Sequence, residues 1–228
     1  MANQQNPIVP WNEIQTVLLD MDGTLLDLHF DNHFWREYVP ERYAASRGLD
    51  IPTAKAVLAP IFHRKEGTLD WYCVDYWSHE LNLDIALLKQ DLQEFIAIKA
   101  GVPEFLTALR QRKIRTVLVT NAHPKSLALK LERTRLHDWL DRILSAHEFG
   151  LPKEATDFWQ RLRTKENFDP ASTLLIDDNL AVLRSAQRAV IAHLLGVQRP
   201  SSQGPEISTA EFGVVADFAR LTLELQKI

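Results

Sequence analysis

The chain has 228 residues, of which 46% are hydrophobic, and a formal net charge of -4. A chain of this length can bury a sizeable core as one large domain or two smaller ones. The small net charge gives no indication of a surface that binds nucleic acid polymers. The single Cys73 excludes an intramolecular disulfide. No apolar run approaches the ~18 residues that cross a bilayer, and residues 1–10 lack the features of a signal peptide. We therefore expect a soluble cytoplasmic protein that binds neither membranes nor nucleic acid polymers.

The most informative stretch is residues 16–26, Thr-Val-Leu-Leu-Asp-Met-Asp-Gly-Thr-Leu-Leu. Its continuous apolar run predicts a strand buried on both faces, as in a parallel sheet. Asp20 and Asp22 then share one direction, because side chains two apart on an extended segment point the same way. Two carboxylates held close together repel each other unless a cation or a shared proton lies between them. The stretch therefore predicts a metal-dependent active site.

Helical patterning dominates the next part of the chain, up to about residue 100. Residues 31–47, 53–66, 70–81 and 84–98 are expected to form four helices with no strand among them. Pro40 and Pro60 fall inside the first two, which predicts a kink or an early end there.

Alternating helices and strands follow from residue 102, a pattern typical of βαβ units and a parallel sheet. The predicted strands are residues 116–119, 142–146, 173–176 and 190–195, with a short one near Val214. The predicted helices are residues 103–112, 124–134, a segment from Glu154, residues 179–188 and a last one ending near Lys227. The fold class is thus α/β, with a parallel sheet flanked by helices.

Three of the predicted strands end alike, passing from apolar residues to acidic or hydroxylated ones. These endings are Asp20, Thr120-Asn121 and Asp177-Asp178. In open α/β sheets, ligands bind in the crevice outside the carboxyl ends of the strands. We therefore expect these side chains to converge at one edge and form a site.

Phosphoryl transfer is a reaction that such a set of groups can perform. It requires a nucleophile in line with phosphorus, a proton donor for the leaving oxygen and positive charge around the equatorial oxygens. A carboxylate can be the nucleophile, and a divalent cation with oxygen ligands can orient it towards the phosphate. Asp20, Asp22, Asp177 and Asp178 could supply the oxygens, while Thr120 and Lys153 could hold the transferring group.

In this order, Asp20-Met21-Asp22-Gly23-Thr24, Thr120-Asn121, Lys153 and Asp177-Asp178 resemble the four signature motifs of the haloacid dehalogenase (HAD) superfamily. The resemblance implies a Rossmann-like core, residues 1–28 and 101–228, with a helical C1-type cap at residues 29–100. It implies that Asp20 is the nucleophile, Asp22 the general acid and base, and that Thr120, Asn121 and Lys153 bind the substrate. It also implies a Mg²⁺ site formed by Asp20, Asp22, Asp178 and Asp177, in which Asp178 ranks above Asp177 as a direct ligand. Lys153 departs from many relatives in following Pro152 rather than preceding a proline.

Residues 27–35, 71–77, 120–124 and 149–154 resemble, more specifically, the bacterial GMP/IMP 5′-nucleotidase branch of that superfamily. This resemblance implies hydrolysis of purine nucleoside 5′-monophosphates through an aspartyl-phosphate. A phosphatase or phosphomutase for another small phosphoester, such as a sugar phosphate, stays open as the alternative. A dehalogenase is disfavoured because carbon-halogen cleavage does not require the acid that Asp22 supplies, and the complete motifs argue against a scaffold without activity.

Several aromatic and histidine residues leave two interpretations open. The aromatic side chains at 71, 72, 76 and 77 fit a helical core better than base stacking by about two to one. His29, His33, His63 and His123 could contact substrate, although structural roles are more common. No histidine lies in an HExxH motif, and we expect no zinc site.

Overall fold

A six-stranded sheet, parallel throughout, forms the centre of the molecule in a computed structural model that describes residues 9–227. Residues 1–8 of the predicted core, and residue 228, lie outside the described part. The strands are β1 (Thr16–Leu19), β2 (Arg115–Thr120), β3 (Arg142–Ser145), β4 (Thr173–Asp177), β5 (His193–Val197) and β6 (Gly213–Val215). Their order in the sheet is β3-β2-β1-β4-β5-β6.

The order of the strands places a crevice beside β1. From β1 the chain continues to β2 and β3 on one side and then returns to form β4 on the other side. Such a reversal is the point at which open α/β sheets bind ligands, outside the carboxyl ends of the strands. Leu19 is paired with Leu118 on β2 and with Ile176 on β4, so the three acidic or hydroxylated endings lie at one level.

The two faces of the sheet carry separate hydrophobic cores, because successive strand residues point to opposite faces. Leu18, Val117 and Leu175 belong to one core, and Leu19, Leu118 and Ile176 belong to the other. The helices that flank the sheet are α6 (Val102–Gln111), α7 (Pro124–Thr134), α8 (Thr156–Lys165), α9 (Leu180–Arg188) and α10 (Phe218–Gln226). The predicted α/β architecture is confirmed.

A helical segment is inserted between β1 and α6. Its helices are α1 (His29–His33), α2 (Val39–Arg47), α3 (Ile51–His63), α4 (Val74–Leu81) and α5 (Ile85–Gln90). A π-helical turn (Phe34–Tyr38) joins α1 to α2, and 3₁₀ turns occupy Leu69–Tyr72 and Gln93–Phe95. Leu26 and Ile98 form an antiparallel bridge, so the two ends of the insert lie side by side.

Proline explains one difference between the predicted and the observed helices. The first predicted helix contains the π-helical turn, in which Val39 N–H bonds to the carbonyl of Phe34. Pro40 follows at once and has no N–H to continue the regular ladder, so the wider turn accommodates it. Pro60 is accommodated within α3, which ends three residues later at His63.

Four other boundaries were predicted wrongly. The helix expected over residues 70–81 is interrupted at Cys73, whose backbone is extended, so α4 begins only at Val74. The helix expected over residues 84–98 ends at Gln90, and the residues beyond it lead to Ile98, which pairs with Leu26. The strand expected over residues 190–195 begins only at His193, because Val190 has a φ of 68° and is 75% exposed in the turn after α9. The helix expected from Glu154 begins at Thr156. No helix within residues 9–227 is long and apolar enough to cross a membrane.

Candidate active site

A cavity of about 590 Å³ lies above the carboxyl ends of β1, β2 and β4. Its floor contains the residues that end these strands, and helices of the insert form its opposite wall. The structure thereby brings together every site residue that the sequence predicts: Asp20, Asp22, Thr120, Asn121, Lys153, Asp177 and Asp178 line this one cavity.

Lys153 is the positive centre of the cavity floor, with a side chain only 2% exposed. Its Nζ lies 2.5 Å from Asp20 Oδ1 and 2.7 Å from Asp177 Oδ2. Burial alone would lower the pKa of Lys153, but the carboxylates of Asp177 and Asp20 outweigh burial and raise it. Lys153 is therefore a permanently charged ammonium that holds two strand ends together.

Three carboxylates lie close to one another beside that single ammonium. One oxygen each from Asp20, Asp177 and Asp178 lies within 4.8 Å of the others. We call Asp20, Asp177, Asp178 and Lys153 the acidic cluster. Burial raises the pKa of Asp20 to about 6 despite Lys153, and Asp177 adds to the rise. Burial, Asp20 and Asp177 raise the pKa of Asp178 well above its usual range.

Asp178 differs from Asp177 in its partners. Asp177 Oδ1 accepts the Asn179 N–H at 2.9 Å while its other oxygen contacts Lys153. No ion pair within residues 9–227 includes Asp178, whose carboxylate packs against Gly23. A Cβ at position 23 would lie 2.3 Å from Asp178 Oδ2, so glycine permits this approach as well as its own φ of 85°. The donor set is all oxygen with uncompensated negative charge, which fits a hard divalent cation.

Asp22 lines the same cavity, but its carboxylate contacts a residue outside this cluster. Its Oδ1 lies 2.7 Å from Lys130 Nζ, and Lys130 also contacts Asp31 Oδ2 at 2.7 Å. Asp31 Oδ1 in turn accepts from Lys89 at 3.0 Å. We call Asp22, Lys130, Asp31 and Lys89 the alternating chain, because carboxylates and ammonium groups alternate along it.

The alternating chain sets the ionisation of its two carboxylates differently. Burial raises the pKa of Asp22 to about 6, with Lys130 opposing the rise and Asp31 adding to it. Burial also acts on Asp31, but two lysines, Lys130 and Lys89, lower its pKa to about 2. Asp31 is thus a fixed negative charge, while Asp22 can gain or lose a proton near neutral pH.

The polar residues after β2 hold the loop that carries Lys153. Asn121 Oδ1 accepts the backbone N–H of Lys153 at 2.9 Å, and its Nδ2 donates to Glu154 Oε2 at 3.0 Å. Thr120 Oγ1 accepts the Ala122 N–H at 3.0 Å, which leaves its hydroxyl proton available to the cavity. Lys153 is therefore positioned by backbone contacts as well as by its charge.

The family model of haloacid dehalogenase-like hydrolases matches residues 14–189. The GMP/IMP nucleotidase YrfG of Escherichia coli (strain K12) is 40% identical over 213 residues, which are 93% of this chain and 96% of that protein. The chain belongs to the haloacid dehalogenase-like hydrolase family. It is an enzyme, and within this HAD family it is a phosphatase.

Solved structures agree with the HAD fold. The HAD phosphatase from Thermococcus onnurineus matches with a TM-score of 0.77 at 18% identity, over 93% of this chain and 98% of that chain. CbbY from Rhodobacter sphaeroides, solved in complex with phosphate, matches with a TM-score of 0.65 at 14% identity, over 93% and 99% of the two chains. At these identities the likeness shows the fold alone.

Sequence reasoning missed Glu154, which links the insert of this HAD enzyme to the cavity floor. Glu154 Oε1 accepts from Tyr72 Oη at 2.6 Å and from Asn179 Nδ2 at 3.3 Å. Burial and the charge of Glu154 both raise the pKa of Tyr72, which therefore stays a hydrogen-bond donor. Two signals could have suggested this role: Glu154 is next to Lys153, and it lies in the stretch 149–154 that resembles the nucleotidase branch.

Sequence reasoning also missed Lys130, Lys89 and Asp31. Asp31 lies in the stretch 27–35 that resembles the nucleotidase branch, and this resemblance could have marked Asp31 as a candidate site residue. Lys130 is 108 residues from Asp22 and is only 2% exposed, whereas a lysine on an amphipathic helix is expected on its solvated face.

The aromatic residues divide between core and cavity. Trp77 is buried, and its Nε1 donates to the Trp71 carbonyl at 2.8 Å, which agrees with a core role. Trp71 and Tyr72 are half-buried and line the cavity. His63 reaches the cavity rim with its side chain 81% exposed, whereas His29 and His33 pack against Phe95.

Proposed function

We propose that this phosphatase hydrolyses purine nucleoside 5′-monophosphates, in particular GMP and IMP, to nucleoside and phosphate in a magnesium-dependent reaction. The acidic cluster around Lys153 supports phosphoryl transfer. The nucleotide class is supported by 40% identity, over nearly the whole chain, to a protein named GMP/IMP nucleotidase.

Asp20 is the proposed nucleophile. Its carboxylate contacts Lys153 and stands at the end of a strand buried on both faces, so its position is rigid. One oxygen attacks phosphorus, the bond between phosphorus and the nucleoside oxygen breaks, and an aspartyl-phosphate forms. A pKa of about 6 leaves Asp20 mostly ionised at neutral pH.

Asp22 is the proposed acid and base. In the first step it gives its proton to the leaving nucleoside oxygen, and in the second it takes a proton from the water that attacks phosphorus and releases Asp20. An acid and base of this kind works best with a pKa near the working pH, and the pKa of Asp22 is about 6.

Thr120 and Lys153 are the proposed donors to the phosphoryl oxygens. Two of the three ammonium protons of Lys153 face Asp20 and Asp177, which leaves the third for a phosphoryl oxygen. Both polar atoms of the Asn121 side chain are engaged with the Lys153 loop, so we assign that side chain to positioning Lys153.

The proposed cation site consists of the carboxylates of Asp20 and Asp178 and the backbone carbonyl of Asp22, with Asp177 beside them. The crowded, uncompensated carboxylates fit Mg²⁺ by charge and by ligand type. When bound, the ion would neutralise phosphoryl charge and orient the substrate towards Asp20.

Residues 29–100 form the proposed cap, which would hold the base. A cavity of about 590 Å³ lies within the usual range for small-molecule sites. Trp35, Phe62 and Trp71 from the insert line it, and an aromatic wall of this kind suits a purine ring.

Phosphate release from a panel of nucleotides and sugar phosphates, with and without EDTA, tests this function. GMP and IMP should give the highest kcat/KM, EDTA should abolish release, and Asp20→Asn should reduce kcat by roughly 10⁴-fold or more while the protein stays folded. A sugar phosphate that is hydrolysed with higher kcat/KM would overturn the nucleotide assignment. Interconversion of sugar phosphate isomers without release would favour a phosphomutase.

A further inference from the structure

A second group of metal-ligand side chains lies beside the active site. One ligand atom each from Cys73, His123 and His147 lies within 4.8 Å of the others. We propose that these three residues bind a borderline divalent cation of the Zn²⁺ type, at a site separate from the acidic cluster. The proposal departs from the sequence prediction of no zinc site, which considered only the spacing of histidines along the chain, whereas these three residues come from three distant segments.

Backbone structure fixes the position of each of the three residues. Cys73 has an extended conformation between the Leu69–Tyr72 turn and α4, and its Sγ accepts the Tyr76 N–H at 3.4 Å. His123 caps the start of α7, where its Nδ1 accepts the Lys125 N–H at 3.3 Å. His147 lies in the 3₁₀ turn after β3, and Ser145 Oγ accepts its N–H at 3.2 Å. The group is therefore held in place before any ion binds.

The Nε2 atom of each imidazole is available to an ion. The two rings lie edge to face with centroids 4.9 Å apart. His147 Nε2 is buried and has no hydrogen-bond partner within residues 9–227. A buried nitrogen without a hydrogen-bond partner is unfavourable, and a bound cation would give it a partner. His123 Nε2 faces Asp75 Oδ2 at 3.7 Å, a weak contact that an ion could replace.

The ligand types distinguish this site from the acidic cluster. Thiolate and imidazole prefer Zn²⁺, Co²⁺ and similar ions, whereas Mg²⁺ prefers oxygen ligands. Three protein ligands leave one position of a tetrahedron for water or for the nearby carboxylate of Asp75, which Lys125 holds at 2.6 Å. The two sites should therefore select different ions from a mixture.

The site would connect the helical insert to the sheet. Cys73 belongs to the insert, while His123 follows β2 and His147 follows β3. An ion bound by all three would hold the insert against the sheet and slow any opening of the cavity. This consequence rests on the proposed role of the insert as a cap, whereas ion binding itself does not.

Cobalt absorption of the whole, reduced, metal-stripped chain tests the site directly, in the presence of excess Mg²⁺. The chain has a single cysteine, so a thiolate-to-Co²⁺ charge-transfer band can arise only from Cys73. We expect a band that saturates near one equivalent of Co²⁺, disappears in Cys73→Ser, and needs at least about tenfold more Co²⁺ in His123→Ala and His147→Ala. The exposed His79→Ala and the acidic-cluster variant Asp178→Asn should keep the wild-type band.

Alkylation of wild-type Cys73 by iodoacetamide gives an independent measurement that needs no variant. Micromolar Zn²⁺, with Mg²⁺ in excess, should slow alkylation by at least about tenfold. The site is refuted if Zn²⁺ leaves the rate unchanged, or if the cobalt band is absent. A band with equal affinity in both histidine variants would also refute it, because the thiolate would then bind cobalt without them.

Discussion

Asp20 and Asp22 are two residues apart, yet their carboxylates lie in regions that differ in charge balance. The acidic cluster holds three carboxylates around the single ammonium of Lys153. In the alternating chain, two carboxylates face two ammonium groups. The first region therefore has an excess of negative charge, and the second is balanced.

This difference suits the two proposed roles. A cluster with excess negative charge is favourable only when a cation or a proton neutralises part of that charge. A nucleophile assisted by a metal ion requires such a site for the ion. A balanced chain has no such need, so Asp22 can exchange a proton without a bound cation. Separating the two environments lets one strand end supply both a nucleophile and an acid.

The largest effect should come from removing the ammonium of the acidic cluster. Lys153→Met leaves Asp20 and Asp177 without their shared partner, and kcat/KM should fall by roughly 10³-fold or more. The free energy of unfolding should fall by roughly 3 kcal/mol or more without added metal, since buried carboxylates lose their counter-ion. Steady-state kinetics and urea unfolding measure the two losses.

Lys153→Arg and Lys125→Met serve as controls for that substitution. Lys153→Arg keeps the charge and should recover most of the stability but little of the activity, because the geometry differs. Lys125 is an exposed lysine, and Lys125→Met should change kcat/KM by less than about twofold. A Lys153→Met enzyme within tenfold of wild type would show that the acidic cluster does not act through Lys153.

Paired aspartate substitutions should move stability in opposite directions in the two regions. Asp178→Asn removes a charge that burial and two neighbouring carboxylates disfavour, so the metal-free protein should melt at a higher temperature. The same variant should require roughly 10- to 100-fold more Mg²⁺ for half-maximal activity. Melting in EDTA and a magnesium titration of kcat check both statements.

Asp31→Asn is the counterpart in the alternating chain. The pKa of Asp31 is lowered to about 2, so its ionised form stabilises the fold at any pH above its usual value, and this contribution is lost as pH falls towards 2. At neutral pH the variant should therefore melt at a lower temperature. If Asp178→Asn and Asp31→Asn changed the melting temperature in the same direction, the result would contradict the proposed difference in charge balance.

A smaller effect is expected from Lys130→Met, in the pH profile. Lys130 opposes the rise in the pKa of Asp22, so its removal should raise that pKa further above 6. The acid form of Asp22 would then persist to higher pH, and the alkaline limb of kcat/KM should move upward by about one unit. Lys89 contacts Asp31 and not Asp22, so Lys89→Met should move this alkaline limb less. An unmoved or lowered alkaline limb in Lys130→Met would rule out Asp22 as the group observed.

Sequence patterns were sufficient to predict those parts of the fold and the site whose contacts are local or repeat along the sheet. The apolar runs of β1, β2 and β4 end in Asp20, Thr120 and Asp177, and parallel pairing then brings these endings together. The reversal at β1 makes that convergence a property of the topology, so it could be inferred from strand endings alone.

Other features depend on contacts between distant segments. Lysine is usually solvated, and Lys130 on α7 is buried beside Asp31 only because distant segments of the chain pack together. Val190 is a β-branched residue, a type favoured in strands, but it lies in the turn that ends α9. In both cases the tertiary position overrides what the local composition favours.

The smallest predicted effect concerns the single hydrogen bond by which Tyr72 joins the insert to the acidic side of the cavity. Tyr72→Phe removes the donor to Glu154 at 2.6 Å, while Glu154 keeps its contacts with Asn121 and Asn179. A hydrogen bond to a charged group is worth about 1.5 kcal/mol, so kcat/KM should fall by roughly tenfold. If the insert closes over substrate, most of that loss should appear in KM. The control is Tyr76→Phe on the neighbouring turn of α4, which should leave kcat and KM unchanged. An equal loss in both variants would mean that packing of the aromatic residues, and not the link to Glu154, connects the two regions.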